Sequence, residues 1–318
     1  MTGVGSVPFW KQRKWEATIA FWAFMAPMLI GLALFTFTPI VWGFLLSLSN
    51  ARNTVSISAF IGLDNYRNIL GDESFRTSLR TIVIFTAFIV PLTFAVSLAL
   101  AMLVNGVEFG RSFFRTVFFI PTAISYVIAL LVWKMAIFNG TFFGIANMAL
   151  YEIFGYEKLI SWISPPAGDP PWYWLVLVTV RLWLQVGFYM IIFIAGLQEI
   201  PQDLYEAAYV DGGQPGWTTF RTITLPMLRN TSIAVLLLNF IAAFQAFDEF
   251  YNIFGSTGAS AGNLSLARPP LLYLFQLGIS SQNYGLASAG AFVLTAIIIA
   301  VTLIQGRLLG FGRSTASA

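Results

Sequence analysis

The chain has 318 residues, of which 58% are hydrophobic and only 10% are charged, and its formal net charge is +3. This composition excludes an ordinary soluble domain and predicts an all-α, polytopic membrane protein. The absence of cysteine and histidine excludes disulfide bonds, thiolate ligands and the commonest general base, so we predict no catalytic residue and no metal site.

Two further classes of ligand are disfavoured by the sequence. No GxxxxGK[ST] phosphate-binding loop occurs, so we expect no ATP and no other cofactor to be bound by this chain. The small excess of basic residues is typical of anchors at a lipid headgroup surface and does not indicate nucleic acid.

The first half of the chain predicts three membrane spans. Residues 1–15 form a polar N-terminal segment, and the uncharged run that follows is too long for a signal peptide, so we interpret it as an uncleaved span. A polar loop from Arg52 to Arg80 leads to the second span, and a short charged link leads to the third. The three predicted spans cover residues 17–48, 81–107 and 116–138.

The second half predicts three more spans and one long polar interruption. The interruption covers residues 199–226, and a later loop between 255 and 285 contains a predicted short helix near 271–277. Residues 16–310 then form one transmembrane domain, followed by a tail at 311–318. The predicted spans of this half cover residues 172–198, 227–250 and 286–309.

The polar segment at 199–226 has the pattern of a short exposed helix ended by a glycine turn. Pro201 suits the first turn of a helix, and Asp203 adds negative charge near the positive end of the helix dipole. Gly212 and Gly213 end the helix, because glycine adopts the left-handed conformation needed there at little cost. A second short helical stretch is predicted after Pro215.

The spacing within this segment resembles the EAA signature of binding-protein-dependent ABC importer permeases. Glu206-Ala207-Ala208, Asp211-Gly212 and Ile223-x-Leu225-Pro226 match that signature, although Gly213 stands where the family more often has alanine. The GLDNY stretch after the first span and the sequence of the third span support the resemblance. The resemblance implies the type I ABC importer permease fold with six transmembrane helices. It also implies that the segment docks into a cleft on a cytoplasmic ATPase through Tyr205, Glu206, Ala207, Ala208, Asp211 and Gly212.

The resemblance also implies partners and a location. The expected partners are a second related permease subunit, two ATP-binding subunits that carry ATP and Mg, and an extracytoplasmic solute-binding protein. The expected location is the cell membrane, with several passes and both termini cytoplasmic. The distribution of Lys and Arg favours that orientation only slightly.

Polar residues inside three predicted spans indicate a transport pathway. Buried polar groups in a bilayer tend to face a protein interior or water, and amides, hydroxyls and carboxylates mixed with aromatic rings suit a polyhydroxylated ligand. On the fifth span, helical periodicity would place Ala242, Gln245, Ala246 and Glu249 on one stripe. By similarity to the carbohydrate branch of the family, we expect a sugar, a di- or oligosaccharide, to contact Thr122, Tyr126, Gln185, Phe188, Gln245 and Glu249.

Several alternatives remain open at this point. Arg181 could face the pathway, pair with a carboxylate or extend to the headgroups, and Asp248 and Glu249 could mark the outer interface. The same importer type could carry glycerol-3-phosphate or another polar solute. Two more distant alternatives are an ion-coupled secondary carrier, for which the sequence shows no obvious inverted repeat, and a membrane scaffold, which leaves the polar segment unexplained.

Overall fold

The computed structural model describes residues 9–57, 59–166, 169–214, 216–255 and 267–310. Within these ranges the chain is helical and has no β-strand, only two isolated bridges that join loops on one side of the molecule. Residues 1–8 and the predicted C-terminal tail at 311–318 lie outside the described residues.

The first span is a long rod that stands largely apart from the core. Helix α1 (Phe9–Leu32) continues through a π-helical turn into α2 (Thr38–Ser47). Only 6% of the most apolar window of this rod is buried. Its main contact with the rest of the chain is through α2, where the rings of Phe44 and Phe292 pack edge to face at 5.5 Å.

A short helix, α3 (Asp64–Gly71), lies in the segment that the sequence predicts as a polar loop. Asn65 Nδ2 donates hydrogen bonds of 2.9 Å to the carbonyl oxygens of both Ser47 and Ser49. Tyr66 and Ser47 join their hydroxyls at 2.8 Å. The GLDNY stretch therefore fastens α3 to the end of α2.

The second span, α4 (Glu73–Gly106), begins earlier than the predicted start at residue 81. The Asp72 side chain caps it by accepting a hydrogen bond of 2.8 Å from the Phe75 amide. Pro91 lies inside the helix without ending it.

The third span is broken, whereas the sequence predicts one continuous helix over 116–138. Helix α5 (Arg111–Ala123) and helix α6 (Tyr126–Val132, extended by a π-turn to Ile137) meet at an angle of 91°. Ile124 and Ser125 between them have extended backbone conformations. The helix therefore turns sharply three residues after Pro121.

Helix α7 (Ile145–Phe154) lies in the predicted 139–171 loop, where no helix is expected from the sequence. The side chain of Asn147 holds the following segment, because its Oδ1 accepts hydrogen bonds from the Ile160 amide and from Trp162 Nε1. The fourth span, α8 (Tyr173–Gln198), follows and agrees closely with the predicted 172–198.

The predicted polar segment contains helix α9 (Gln202–Val210), then α10 (Trp217–Thr219), a π-helical turn and α11 (Leu225–Met227). The second helical stretch expected after Pro215 is confirmed, although Pro215 itself lies outside the described residues.

The fifth span covers Arg229–Phe254, and its α-helix is interrupted at 245–247, between α12 (Arg229–Phe244) and α13 (Asp248–Phe254). The predicted stripe of Ala242, Gln245, Ala246 and Glu249 is therefore wrong, because the helical periodicity is interrupted between 244 and 248. Helix α14 (Pro270–Phe275) continues through a π-turn to Ser280, and α15 (Tyr284–Leu309) is the last span. Within the described ranges, five helical spans and the bent α5–α6 pair are long and apolar enough to cross a membrane.

The core lies between α4, α8 and α12. Apolar side chains of α4 and α8 form most of the contact, and polar side chains join the helices where the backbone allows it. Ser97 Oγ donates to the Val186 carbonyl at 3.1 Å, and Asn239 Nδ2 donates to the Val90 carbonyl at 3.3 Å. Helices α8 and α12, which belong to the fourth and fifth spans of the predicted pathway, are thus each fixed to α4.

Candidate functional site: an intramembrane pocket and an exposed helix

A pocket of about 260 Å³ opens beside the break in the third span. Four of the six residues predicted for the pathway line it, and the other two do not. Its lining consists of Thr122, Tyr126, Leu184, Gln185, Phe188 and Tyr189.

The pocket exists because α5 ends just where α8 passes closest to it. Thr122 lies in the last turn of α5, and its hydroxyl donates a hydrogen bond of 3.0 Å to the Leu184 carbonyl. Tyr126 opens α6. Gly187 permits the close approach of the two helices, since a Cβ atom there would collide with the Phe118 carbonyl oxygen.

The lining combines hydrogen-bonding groups with aromatic surface. Hydroxyls of Thr122, Tyr126 and Tyr189 and the amide of Gln185 can donate or accept hydrogen bonds. The ring of Phe188 packs edge to face on that of Tyr189, with centroids 5.3 Å apart. Such a wall suits a ligand with both hydroxyl groups and apolar faces.

Gln245 and Glu249, the fifth-span residues of the prediction, lie elsewhere. Gln245 is exposed at the C-terminus of α12. Glu249 lies in the first turn of α13, and only 2% of it is exposed. The interruption of the fifth span separates both from the lining of the pocket.

Arg181 forms the buried polar centre behind the pocket. Its Nη1 is hydrogen-bonded and ion-paired to Glu249, and its Nε donates to Gln185 Oε1 at 3.1 Å. Its guanidinium also lies 5.5 Å from the centre of the Phe85 ring. Of the roles left open by the sequence, the structure has Arg181 paired with a carboxylate.

The Arg181 centre joins the three spans of the predicted pathway. The Tyr126 hydroxyl on α6 lies beside the guanidinium, Gln185 is one turn further along α8, and Glu249 comes from α13. An arginine with several uncharged residues on either side in a span signals a carboxylate partner. The sequence could not identify which carboxylate pairs with Arg181, because Glu249 is 68 positions away. Tyr189 and Phe85 are further residues that the prediction missed.

Within the described residues, no group of three or more His, Cys, Asp or Glu side chains could hold a metal ion.

The second candidate site is the exposed helix α9, whose end has a defined geometry. Gly212 has a φ of +88°, its amide bonds to the Tyr209 carbonyl at 3.2 Å, and the Gly213 amide bonds to the Ala208 carbonyl at 2.7 Å. These two bonds form a Schellman motif, so the predicted glycine stop is confirmed. Gly213 lacks a positive φ, but a Cβ atom there would lie only 2.6 Å from the Ala208 oxygen.

No residue of α9 is fully buried. Val210 is 88% exposed, and Leu204 and Tyr209 are nearly half exposed. Tyr205 faces the body of the protein, where its hydroxyl and that of Thr224 are 2.9 Å apart. Of the remaining residues predicted for ATPase contact, Ala208 is half-buried, and the exposed ones are Glu206, Ala207, Asp211 and Gly212.

Comparison with known proteins places this arrangement in a family. The family model described as binding-protein-dependent transport system inner membrane component matches residues 94–310. The chain is 33% identical over 307 residues to the probable ABC transporter permease protein YesP of Bacillus subtilis, covering 96% of this chain and 95% of that protein.

Two further relatives have names that state a cargo. The lactose transport system permease protein LacF of Rhizobium radiobacter is 29% identical, with 89% of this chain and 92% of LacF covered. The sn-glycerol-3-phosphate transport system permease protein UgpA of Agrobacterium fabrum is 31% identical, with the same coverage of both chains.

Among solved structures, the fold is similar to a chain of a bacterial alginate ABC transporter in complex with a periplasmic protein bound to an alginate pentasaccharide. The TM-score is 0.78 at 20% identity, and 95% of this chain and 97% of that chain are covered. The type I permease fold expected from the sequence is confirmed.

Proposed function

This chain belongs to the family of binding-protein-dependent transport system inner membrane components, and from that premise we propose that it forms half of the pathway of an ATP-driven sugar importer. The cargo is a di- or oligosaccharide delivered by an extracytoplasmic binding protein. This chain supplies no catalytic group, and ATP with Mg is held by separate subunits.

The pocket at the α5–α6 break is the observation that carries this proposal. Its hydroxyl and amide groups can bond to sugar hydroxyls, while Phe188 and the two tyrosine rings can pack on apolar sugar faces. The contacts assigned to cargo are Thr122, Tyr126, Gln185 and Phe188. Gln245, exposed at the end of α12, would meet cargo only elsewhere along its route.

Similarity to UgpA favours glycerol-3-phosphate as the second candidate cargo. A phosphate is usually bound by several cations or backbone amides. The pocket lining includes no Lys or Arg, so the sugar is the better candidate.

Helix α9 is the proposed coupling element. Its exposed face offers Glu206, Ala207 and the apolar Val210 to a groove on an ATP-binding subunit. The Tyr205–Thr224 contact ties α9 to the segment that leads into the fifth span. Closure of two ATP-binding subunits on ATP would therefore move α9 and, through it, the membrane helices.

The remaining proposals concern assembly and orientation. The first span leaves most of its apolar surface uncovered by this chain, which fits a second, related permease subunit as its neighbour. The α9 helix must lie in the cytoplasm to reach ATP-dependent partners, and six spans then place both termini there.

The test of this function is co-purification of an ATP-binding subunit with the chain. The variant Glu206→Arg reverses the charge of the exposed α9 face, and we expect it to lower both the amount of co-purified ATPase and ATP-driven uptake of radiolabelled lactose by about tenfold or more. Membrane insertion should be unaffected, because Glu206 is exposed and contacts no other described side chain through a hydrogen bond or ion pair.

The control is Glu108→Arg, an equal charge change at an exposed position in the α4–α5 link. It should retain the co-purified ATPase. An unaltered complex with Glu206→Arg, or the absence of any ATPase from the wild-type preparation, would contradict the proposed function.

A further inference from the structure

The charges behind the pocket form one compact group. The charged side chains within electrostatic range of the Tyr126 hydroxyl are Glu249, Arg181 and Asp248. Arg181 is paired with Glu249 through Nη1, and both side chains are 3% exposed. Lys134, the cation on the outer part of the third span, donates instead to the Asn252 carbonyl at 3.3 Å.

We propose that Arg181, held by Glu249, is a positioning residue that makes this pocket select uncharged, hydroxyl-rich cargo and reject anionic cargo. The inference rests on the proposed function, and it assigns the charge class of the cargo at the same pocket. It also gives Glu249 a role other than direct contact with cargo.

The first step of the argument is the orientation of Gln185. A guanidinium has only donors, so the Gln185 atom that faces Arg181 Nε must be the carbonyl oxygen. The amide nitrogen is then left on the opposite side of the group, and Gln185 lines the pocket. Arg181 therefore fixes this side chain so that it offers N–H donors to an uncharged oxygen of the cargo.

The second step concerns two buried hydrogen-bonding groups at the pocket. Arg181 Nη2 and the Tyr126 hydroxyl are buried beside each other, and neither makes a hydrogen bond of good geometry within the described residues. Buried polar atoms normally have a partner. A hydroxyl or ring oxygen of a sugar, or a water that it brings, would supply the acceptor.

The third step is the balance of charge. Two carboxylates, Asp248 and Glu249, stand against one guanidinium near Tyr126. Glu249 cancels the charge of Arg181 through the buried pair, and Asp248 leaves an excess of negative charge. A phosphate or carboxylate ligand would enter a low-dielectric site without a free cation, which is unfavourable.

The experiment compares two probes on the assembled importer without its binding protein. Equilibrium dialysis with radiolabelled lactose and sn-glycerol-3-phosphate gives the ratio of the two dissociation constants, and we expect the wild type to prefer lactose. In Glu249→Gln the guanidinium loses its counter-charge. Binding of sn-glycerol-3-phosphate should therefore strengthen relative to binding of lactose, and the ratio of the two dissociation constants should change by about tenfold or more.

Two variants keep the test independent of folding. Asp248→Asn changes an exposed side chain and leaves the buried pair intact, and it should move the ratio in the same direction by a smaller factor. The double variant Arg181→Gln/Glu249→Gln removes one charge of each sign and should keep the wild-type preference for the uncharged probe.

The inference is overturned if the wild type prefers the phosphate or binds no lactose, or if Glu249→Gln or Asp248→Asn leaves the ratio unchanged. These measurements use no ATP hydrolysis. Failure here is therefore distinguishable from failure of the proposed function, which is judged by the association of the ATP-binding subunit.

Discussion

Asn65 shows how one residue of a short sequence pattern can fix the C-terminal end of the first span. Its amide group donates to the carbonyl of Ser47, the last residue of α2, and to that of Ser49 just beyond the helix, and Asn65 is 7% exposed. Gly285 at the start of α15 approaches the same place, since a Cβ atom there would lie 2.5 Å from the Ser49 oxygen. The residue thus joins α2, α3 and α15.

We predict that Asn65→Ala lowers the free energy of unfolding by about 1–3 kcal/mol, because two buried carbonyl oxygens lose their donor. Thermal unfolding of the purified chain, followed by tryptophan fluorescence, measures the effect. Asn68→Ala, at an exposed position of the same helix, is the matched control. Equal transition temperatures for both variants would show that the amide contacts contribute nothing.

At the same scale, Arg181 marks the limit of sequence-based prediction. Its burial cost and the need for a carboxylate follow from its position in an uncharged span. The choice of Glu249 depends on how α13, which follows the interruption of the fifth span, packs against α6 and α8. No proline or glycine between 244 and 248 signals that interruption. Four pathway residues reach one pocket because they lie on two neighbouring spans, the third and the fourth. The prediction for the fifth span depended on a helical periodicity that the chain does not keep.

At the scale of elements, glycine determines where helices meet or end. In α9, Gly212 supplies the left-handed residue of the Schellman motif, which the double glycine in the sequence predicts. In α8, Gly187 serves a different purpose, because it faces the backbone of α5 and its importance is visible only in the packed structure. A glycine inside an apolar span has no such signal in the sequence.

We predict that Gly187→Ala forces α5 away from α8, since the added Cβ would collide with the Phe118 carbonyl. Overpacking of this kind costs about 1–3 kcal/mol, and it should also weaken lactose binding because Gln185 and Phe188 flank the contact. A lower transition temperature together with a raised dissociation constant is the expected result.

Gly31→Ala is the control for this change, because nothing lies within 4 Å of a Cβ atom at that position of α1. It should leave both values as in the wild type. If Gly187→Ala matches it, the close approach of α5 and α8 is not needed for the pocket.

At the scale of the whole molecule, the bundle is a core with one helix outside it. The second, fourth and fifth spans bury between 39% and 50% of their most apolar windows, whereas the first buries 6% and the last 17%. Hydropathy alone predicts the buried spans and the exposed spans equally well, because lipid and protein interiors are both apolar. Which spans form the core depends on packing and could not be predicted from composition.

The proposed orientation can be tested on single-cysteine variants, because the natural chain has no cysteine to give a background signal. Val210, Phe109 and Phe143 are each at least 87% exposed and lie in three different connecting regions. The order of the spans places Val210 and Phe109 on one side and Phe143 on the other. With α9 in the cytoplasm, a membrane-impermeant maleimide should label Phe143→Cys in intact cells and label Val210→Cys and Phe109→Cys only after the membrane is opened.

Labelling of Val210→Cys from outside would place α9 beyond the reach of ATP-binding subunits and would contradict both the orientation and the coupling role. Labelling of Phe109→Cys and Val210→Cys from opposite sides would instead contradict the crossing of the membrane by the bent α5–α6 pair, since a re-entrant pair would reverse the side of every later loop.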